Sequence, residues 1–344
     1  MIRSESGKSR WGGACPSRII FTHVYDDIIS VENLLAAWQE FVCGKRGKKD
    51  VQEFQYHLMD NILALHRDLK NKTYRHGEYQ AFKINDPKPR DIHKATVRDR
   101  LVHHAIYRQL YSFFDRTFIG DSYSCRKGKG THRAMNRFRL FSRKASKNNT
   151  RTLWVLKCDV RKFFASVDHD ILLGIVGKYI SDADTKALIA EVVGSFHSTK
   201  IGKGLPLGNL TSQLLVNIYM NEFDQFVKHS HKAKYYVRYA DDFVIMHHDK
   251  RVLESLLVCV ETFLSDGLSL ALHPNKVSIT TLASGIDFLG WVHFPNHRVL
   301  RTTTKFRMLK RLCGLDKKDA TAQSYLGMLR YGNAHMLAQL IDRR

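Results

Sequence analysis

The stretch Tyr235-Tyr236-Val237-Arg238-Tyr239-Ala240-Asp241-Asp242-Phe243-Val244-Ile245-Met246 decides the fold. Two runs rich in aromatic and β-branched residues, YYVRY and FVIMH, flank a short turn, which is the pattern of two adjoining strands. That turn carries two consecutive carboxylates, Asp241 and Asp242. Upstream, TLWVLKCDV (152–160) reads as a buried strand ending at a third carboxylate, Asp159. Strand-end carboxylates from separate strands of one sheet can converge at a single edge. Three negative charges brought that close repel one another and need a strong counter-charge, usually divalent cations. Oxygen-rich sites with open positions suit Mg²⁺ where substrate phosphates complete its shell. Two such ions about 4 Å apart activate an attacking oxygen and stabilise a leaving one in phosphoryl transfer. An isolated Asp-Asp pair is equally an ordinary hairpin turn, because Asp is a good turn residue.

The elements around this stretch alternate. Ser30 is placed to cap a helix over VENLLAAWQEF, and Phe54, Leu58, Ile62 and Leu65 recur at helical spacing in a second. Two strands joined by a basic, proline-containing turn are expected around GEYQAFKINDPKPRDIHKA, then a helix over roughly 97 to 114. CRKGKGTHRAMNRFRLFSRKASKNNT (125–150) reads as a basic loop plus helix. Helices are expected from Asp170, from about 182 and from Thr211, then over about 250 to 265, with further strands at KVSITTL and IDFLGWVHF. The last 45 or so residues read as basic and helical. Helices alternating with strands after residue 150 argue for an α+β or α/β sheet domain, with the first 150 residues and the tail as appendages. Residues 1 to about 30 read as a loosely ordered lead-in.

Composition narrows the partner. The chain has 344 residues with 55 Lys plus Arg against 33 Asp plus Glu, a formal net charge of +22. That excess calls for a polyanion. A hydrophobic share of 44% excludes a disordered chain. No apolar run reaches the roughly 18 residues of a membrane span, and MIRSESGKSRWGG lacks a signal-peptide core. Cys15, Cys43, Cys125, Cys158, Cys259 and Cys313 are scattered, without a C-x-x-C pair, so a reducing, cytoplasmic compartment is expected.

Tyr239-Ala240-Asp241-Asp242 resembles the YADD box of reverse transcriptases, and Asp159-Val160-Arg161-Lys162-Phe163-Phe164-Ala165-Ser166-Val167 resembles that family's first catalytic motif. The two lie in the family's order, 82 residues apart (241 − 159). The resemblance runs from about residue 70 to 294. It implies an α+β right-hand polymerase fold: a helical extension over 1–70, fingers over 71–150, a palm of antiparallel sheet plus helices over 151–298 that includes part of the fingers, and a short helical thumb over 299–344. It implies Asp159, Asp241, Asp242 and the Val160 carbonyl as ligands of two Mg²⁺ ions, with Mn²⁺ a possible substitute. Lys88-Pro89-Arg90-Asp91-Ile92 and Val97-Arg98-Asp99-Arg100 look like the first fingers motif, with Arg90 on the incoming triphosphate. Arg98 and Arg100 are equally suited to pairing with neighbouring carboxylates. Cys125 to His132 resembles the second fingers motif, adding Arg126 and Lys127 as nucleotide-binding residues. Phe164 falls where the family carries an aromatic gate beneath the sugar, favouring dNTPs, whereas Phe163 reads as core. Lys276 matches a lysine that neutralises or protonates departing pyrophosphate. Phe288-Leu289-Gly290-Trp291 resembles the primer-grip hairpin.

The segment Gly204-Leu205-Pro206-Leu207-Gly208-Asn209-Leu210-Thr211-Ser212-Gln213 is the most discriminating. Most reverse transcriptases carry Gln-Gly where this chain has Leu207-Gly208. An aliphatic residue before that glycine is similar to the reverse transcriptases of diversity-generating retroelements. Leu207, Gly208 and Gln213 would then shape the base-pair pocket. Such enzymes copy template-repeat RNA into cDNA with errors at template adenines, alongside a small basic accessory variability protein that forms an oligomer. The implied partners are template RNA, the cDNA or primer, dNTPs and that oligomer, with no membrane. The alternatives are a reverse transcriptase of another bacterial lineage, intron-like or phage-defence, and an inactive RNA-binding scaffold. The short tail leaves little room for an endonuclease or maturase domain.

Overall fold

A computed structural model describes residues 20–85, 89–313 and 319–342. Helix α1 (Tyr25–Ile29) leads into α2 (Val31–Val42), where the Ser30 hydroxyl accepts from the Asn33 N–H, as the sequence predicts. The Phe54-to-Leu65 periodicity forms two helices rather than one, α3 (Lys49–Tyr56) and α4 (Leu58–Lys70). The chain leaves helical geometry at His57, and the Asn61 side-chain amide takes over the Phe54 carbonyl at 3.0 Å. The expected strands are β1 (Gln80–Ile84) and β2 (Arg90–Lys94), an antiparallel pair; Asp86, Pro87 and Lys88 lie outside the described residues. The long helix α5 (Val97–Thr117) follows.

The N-terminal helices are not an appendage. Leu34, Ala37, Trp38 and Phe41 form one buried stripe of α2 and share a continuous core with Leu101 of α5 and with Leu156, Cys158 and Tyr219 further along. Nor is the lead-in loose throughout: Phe21 and Tyr25 belong to that core, and Phe21 bridges to Ile180.

Next come α6 (Thr131–Ala145), β3 (Trp154–Asp159), α7 (Phe163–Ser166), α8 (His169–Gly177), α9 (Ala183–Gly194) and α10 (Leu210–Gln225). Then β4 (Tyr236–Tyr239), β5 (Asp242–His247), α11 (Lys250–Thr262) and β6 (Ser278–Thr281) complete a four-stranded antiparallel sheet of order β4-β5-β3-β6. Side chains alternate between its faces. Phe243 and Ile245 enter the large core, while Val244 and Met246 enter a second core with Phe138 and Phe141 of α6. Burial on both faces is why these strands read as unbroken apolar runs.

A second sheet holds β7 (Ile286–Phe288), β8 (Trp291–His293) and β9 (Arg298–Leu300), all antiparallel. IDFLGWVHF is thus a tight hairpin, and β9 lies where only helix was expected. Among the described residues three helices follow: α12 (Thr302–Arg311), α13 (Ala320–Leu329) and α14 (His335–Asp342). They form a third core around Trp291. Gly332 lies flat on the Trp291 indole, where a Cβ would fall 2.0 Å from a ring carbon. Among the described residues no helix is long and apolar enough to cross a membrane.

Candidate active site

Asp159 ends β3 directly opposite Asp242, the first residue of β5, and the Val160 N–H donates to the Asp241 carbonyl at 3.1 Å. The register therefore brings all three sequence-predicted carboxylates to one sheet edge. Tyr239 pairs with Asp242, leaving Ala240-Asp241 as a two-residue hairpin loop. Ala240 has φ 54° while Asp241 keeps a negative φ, the pattern of a type II′ turn that ordinarily takes glycine first. Left-handed geometry costs an L-residue roughly 1–2 kcal/mol.

The turn is held from beneath by a residue the motif reading passed over. The Arg238 side chain is buried and donates through Nη1 to the Ala240 carbonyl at 3.1 Å. Its Nε and Nη2 clamp the Asp224 carboxylate of α10 at 2.7 and 2.6 Å, and the Tyr236 hydroxyl donates to the same carboxylate at 2.6 Å. A lone arginine in an otherwise apolar strand, with an aspartate on the preceding helix, was the available signal.

Electrostatics at the edge are strained. Burial pushes Asp242 up to about 7; Lys157, 4.0 Å away, opposes this, and Asp159 and Asp241 add to it. Its Oδ1 is buried without a hydrogen-bond partner. Burial, then Asp159, raises Asp241 as well, while Lys276 and Arg90 pull it down. Asp159 is turned onto Lys276, whose Nζ donates to Oδ2 at 2.6 Å, and no closed cluster of acidic, His or Cys ligands forms among the described residues. A buried carboxylate oxygen lacking a partner, beside two more carboxylates, is a hard-oxygen donor set suited to a divalent cation.

The other predicted residues separate into two groups. Arg90 sits exposed on β2, near enough to Asp241 to lower its pKa. Phe164 is half-buried in α7, and its carbonyl accepts from the Leu205 N–H at 2.8 Å, bringing the Gly204–Gln213 segment alongside. Within that segment the Leu207 carbonyl accepts from the His93 N–H of β2, and the Asn209 amide donates to the His93 carbonyl, each at 3.2 Å. Gly208 has φ +106°, and a Cβ there would meet Ile92 at 3.0 Å. Gln213 lies half-buried in the first turn of α10. Phe163 is core, as read. Phe288 and Trp291 are buried cross-strand partners, and the turn between them, Leu289-Gly290, has φ of 53° and 85°, a type I′ hairpin.

Arg126 is a correction. Its side chain is buried, with Nε on the Asp115 carboxylate at 2.6 Å and the two Nη groups on the carbonyls of Ile119, Ser122 and Asp115. Four of the five guanidinium N–H groups are spent on the end of α5 and the loop after it, so these contacts make Arg126 a structural clamp there. Lys127 stays exposed, over the Tyr111 ring. Arg98 pairs with Asp68 and Arg100 with Asp50, each at 2.5 Å.

The family model described as reverse transcriptase (RNA-dependent DNA polymerase) matches residues 83–293. The chain belongs to that family. This reverse transcriptase is 26% identical to Protein YkfC of Escherichia coli K12, with 76% of this chain and 78% of that protein covered. It is also 26% identical to the group II intron-encoded protein LtrA of Lactococcus lactis subsp. cremoris, covering 60% of this chain but only 35% of LtrA. Among solved structures, an apo telomerase from Candida tropicalis matches with TM-score 0.48 and 12% identity, over 72% of this chain and 59% of that one. The chain is a mixed α+β RNA-directed DNA polymerase with RNA template and nucleic-acid substrates.

Proposed function

We propose that this reverse transcriptase serves a diversity-generating retroelement, copying template-repeat RNA into cDNA with errors at template adenines. The observation that carries the reading is Leu207, an aliphatic side chain beside Gly208 in the loop that docks on β2. A glutamine there makes polar contacts near the nascent base pair, and leucine makes none. One lost hydrogen bond shifts discrimination by roughly 1 kcal/mol, about five- to tenfold, and cavity shape supplies the rest.

In this reading residues 71–150 act as fingers, 151–298 as palm and 299–344 as thumb, with 1–70 an extension. The primer 3′-hydroxyl attacks the α-phosphate of a dNTP and pyrophosphate leaves. Asp159, Asp241, Asp242 and the Val160 carbonyl would hold two Mg²⁺ ions, which supply positive charge at the attacking and leaving oxygens. Arg90 and Lys127 bind the triphosphate, Phe164 excludes a 2′-hydroxyl, and Gln213 helps shape the pocket. Lys276 meets the leaving pyrophosphate, and Phe288 to Trp291 grip the primer. The enzyme works in the cytoplasm with a basic accessory protein oligomer.

A second reading, an intron-type lineage, is favoured by the name of LtrA. Sequencing cDNA made on the native RNA, with and without the accessory protein, separates them. Adenine-biased error that falls in Leu207→Gln supports the retroelement; uniform fidelity at all four bases rejects it. Primer extension with wild type and Asp241→Asn tests the chemistry, since a scaffold would bind RNA and extend with neither.

A further inference from the structure

Between α6, the loop joining β8 to β9, and the loop joining α13 to α14 lies an open cleft of about 270 Å³. Three guanidinium groups line it, those of Arg139, Arg298 and Arg330, and no carboxylate does among the described residues. Arg298 is fastened at two points, with Nε on the Tyr331 carbonyl and Nη2 on Asn136 at 3.4 Å. Its third nitrogen, Nη1, is buried and has no partner. Arg139 and Arg330 are exposed. Burial and the nearby Arg139 charge hold Arg298 below the usual arginine range.

A buried guanidinium nitrogen without an acceptor, in a cleft of like charges, is completed by an anion. Phosphate oxygens fit best, because the planar fork of arginine matches them bidentately. The cleft is separate from the catalytic edge. Thr131, at the start of α6, donates to the Tyr239 hydroxyl, whereas Arg139 lies eight residues further along that helix, about 12 Å away. A net charge of +22 points to a polyanion as the source of the phosphate.

We propose that Arg139, Arg298 and Arg330 form a phosphate site that holds the RNA backbone away from the reacting centre. This does not depend on which retroelement the enzyme serves.

The test is fluorescence anisotropy of a labelled single-stranded RNA on full-length wild type, Arg139→Gln/Arg330→Gln and Arg139→Lys/Arg330→Lys. Arg298 is left intact because it ties down Tyr331. The glutamine variant is expected to lose about tenfold in affinity, and its plot of log K against log salt to flatten by about 1.4, two contacts at about 0.7 each. The lysine variant keeps the slope, and extension at saturating RNA stays at the wild-type rate. Unchanged affinity and slope in a glutamine variant of wild-type melting temperature overturn the proposal. In a second arm, inorganic phosphate and pyrophosphate are titrated by thermal shift. If either stabilises wild type but not the glutamine variant while the RNA slopes coincide, the site takes a free anion and the RNA assignment falls.

Discussion

Arg238 reaches from the floor of the palm sheet to the Ala240 carbonyl, 3.1 Å away, while its other donors grip Asp224. The strained turn that presents Asp241 therefore rests on a buried ion pair. Removing one partner of such a pair leaves a buried charge uncompensated and costs about 3–5 kcal/mol, whereas replacing both by apolar groups is often neutral. Asp224→Asn is expected to lower the urea midpoint accordingly. Arg238→Met/Asp224→Leu should recover most of the stability and still extend primers poorly, because nothing then fixes Ala240. Full activity in that double variant would show the contact to be incidental.

Asp242 is a liability to the metal-free fold. A carboxyl raised to about 7 in the native state, against roughly 3.8 unfolded, binds more protons folded than unfolded between those values. Stability is thus lost as pH rises from about 4 to 7. In EDTA at pH 7, Asp242→Asn should melt higher than wild type, by the equivalent of a few kcal/mol, and be inactive. Adding Mg²⁺ should raise the wild-type melting temperature but not that of Asp241→Asn/Asp242→Asn. Equal shifts in the two proteins would place the cation elsewhere.

Two buried histidines set the acid limit. Burial pushes His103 down to about 3 and His293 down to about 4. Below the unfolded value near 6.5 the unfolded chain takes up protons that the native protein refuses. Their contribution is complete above 6.5 and drains away from there down to about pH 4 for His293 and about pH 3 for His103, at up to about 1.4 kcal/mol per pH unit for each. Denaturant midpoints at pH 7.5, 6 and 5, taken in Asp242→Asn so that the opposing slope of Asp242 is removed, measure this term, and adding His293→Gln should make it shallower.

Gly332 has no room for a side chain, since an added Cβ collides with Trp291. Gly332→Ala should cost about 1–3 kcal/mol by overpacking. The loss should fall on the C-terminal helices first, read as faster amide exchange in α13 and α14 with β3 and β5 still protected.

Much of the site was legible because its signals are local. Asp159 and the Ala240-Asp241-Asp242 turn end apolar runs, and antiparallel register did the rest. What escaped depended on distant partners. Arg126 and Lys129 lie in the same basic loop, and nothing local says that Arg126 alone is consumed by Asp115. Arg238 is invisible without Asp224, 14 residues away on another element. The break at His57 is hidden because Phe54, Leu58 and Leu65 keep helical spacing across it. β9 was missed because three residues are too few to show a period.

Phe288 and Trp291 are separated by only Leu289 and Gly290, yet Phe288 belongs to the core beneath α6 and Trp291 to the core of the C-terminal helices. The two bodies are joined by that short hairpin and by α6, whose Met135 enters the C-terminal core and whose Asn136 accepts from Arg298. A shift of the C-terminal helices is therefore delivered to the hairpin we assign to the primer, and so to the growing strand.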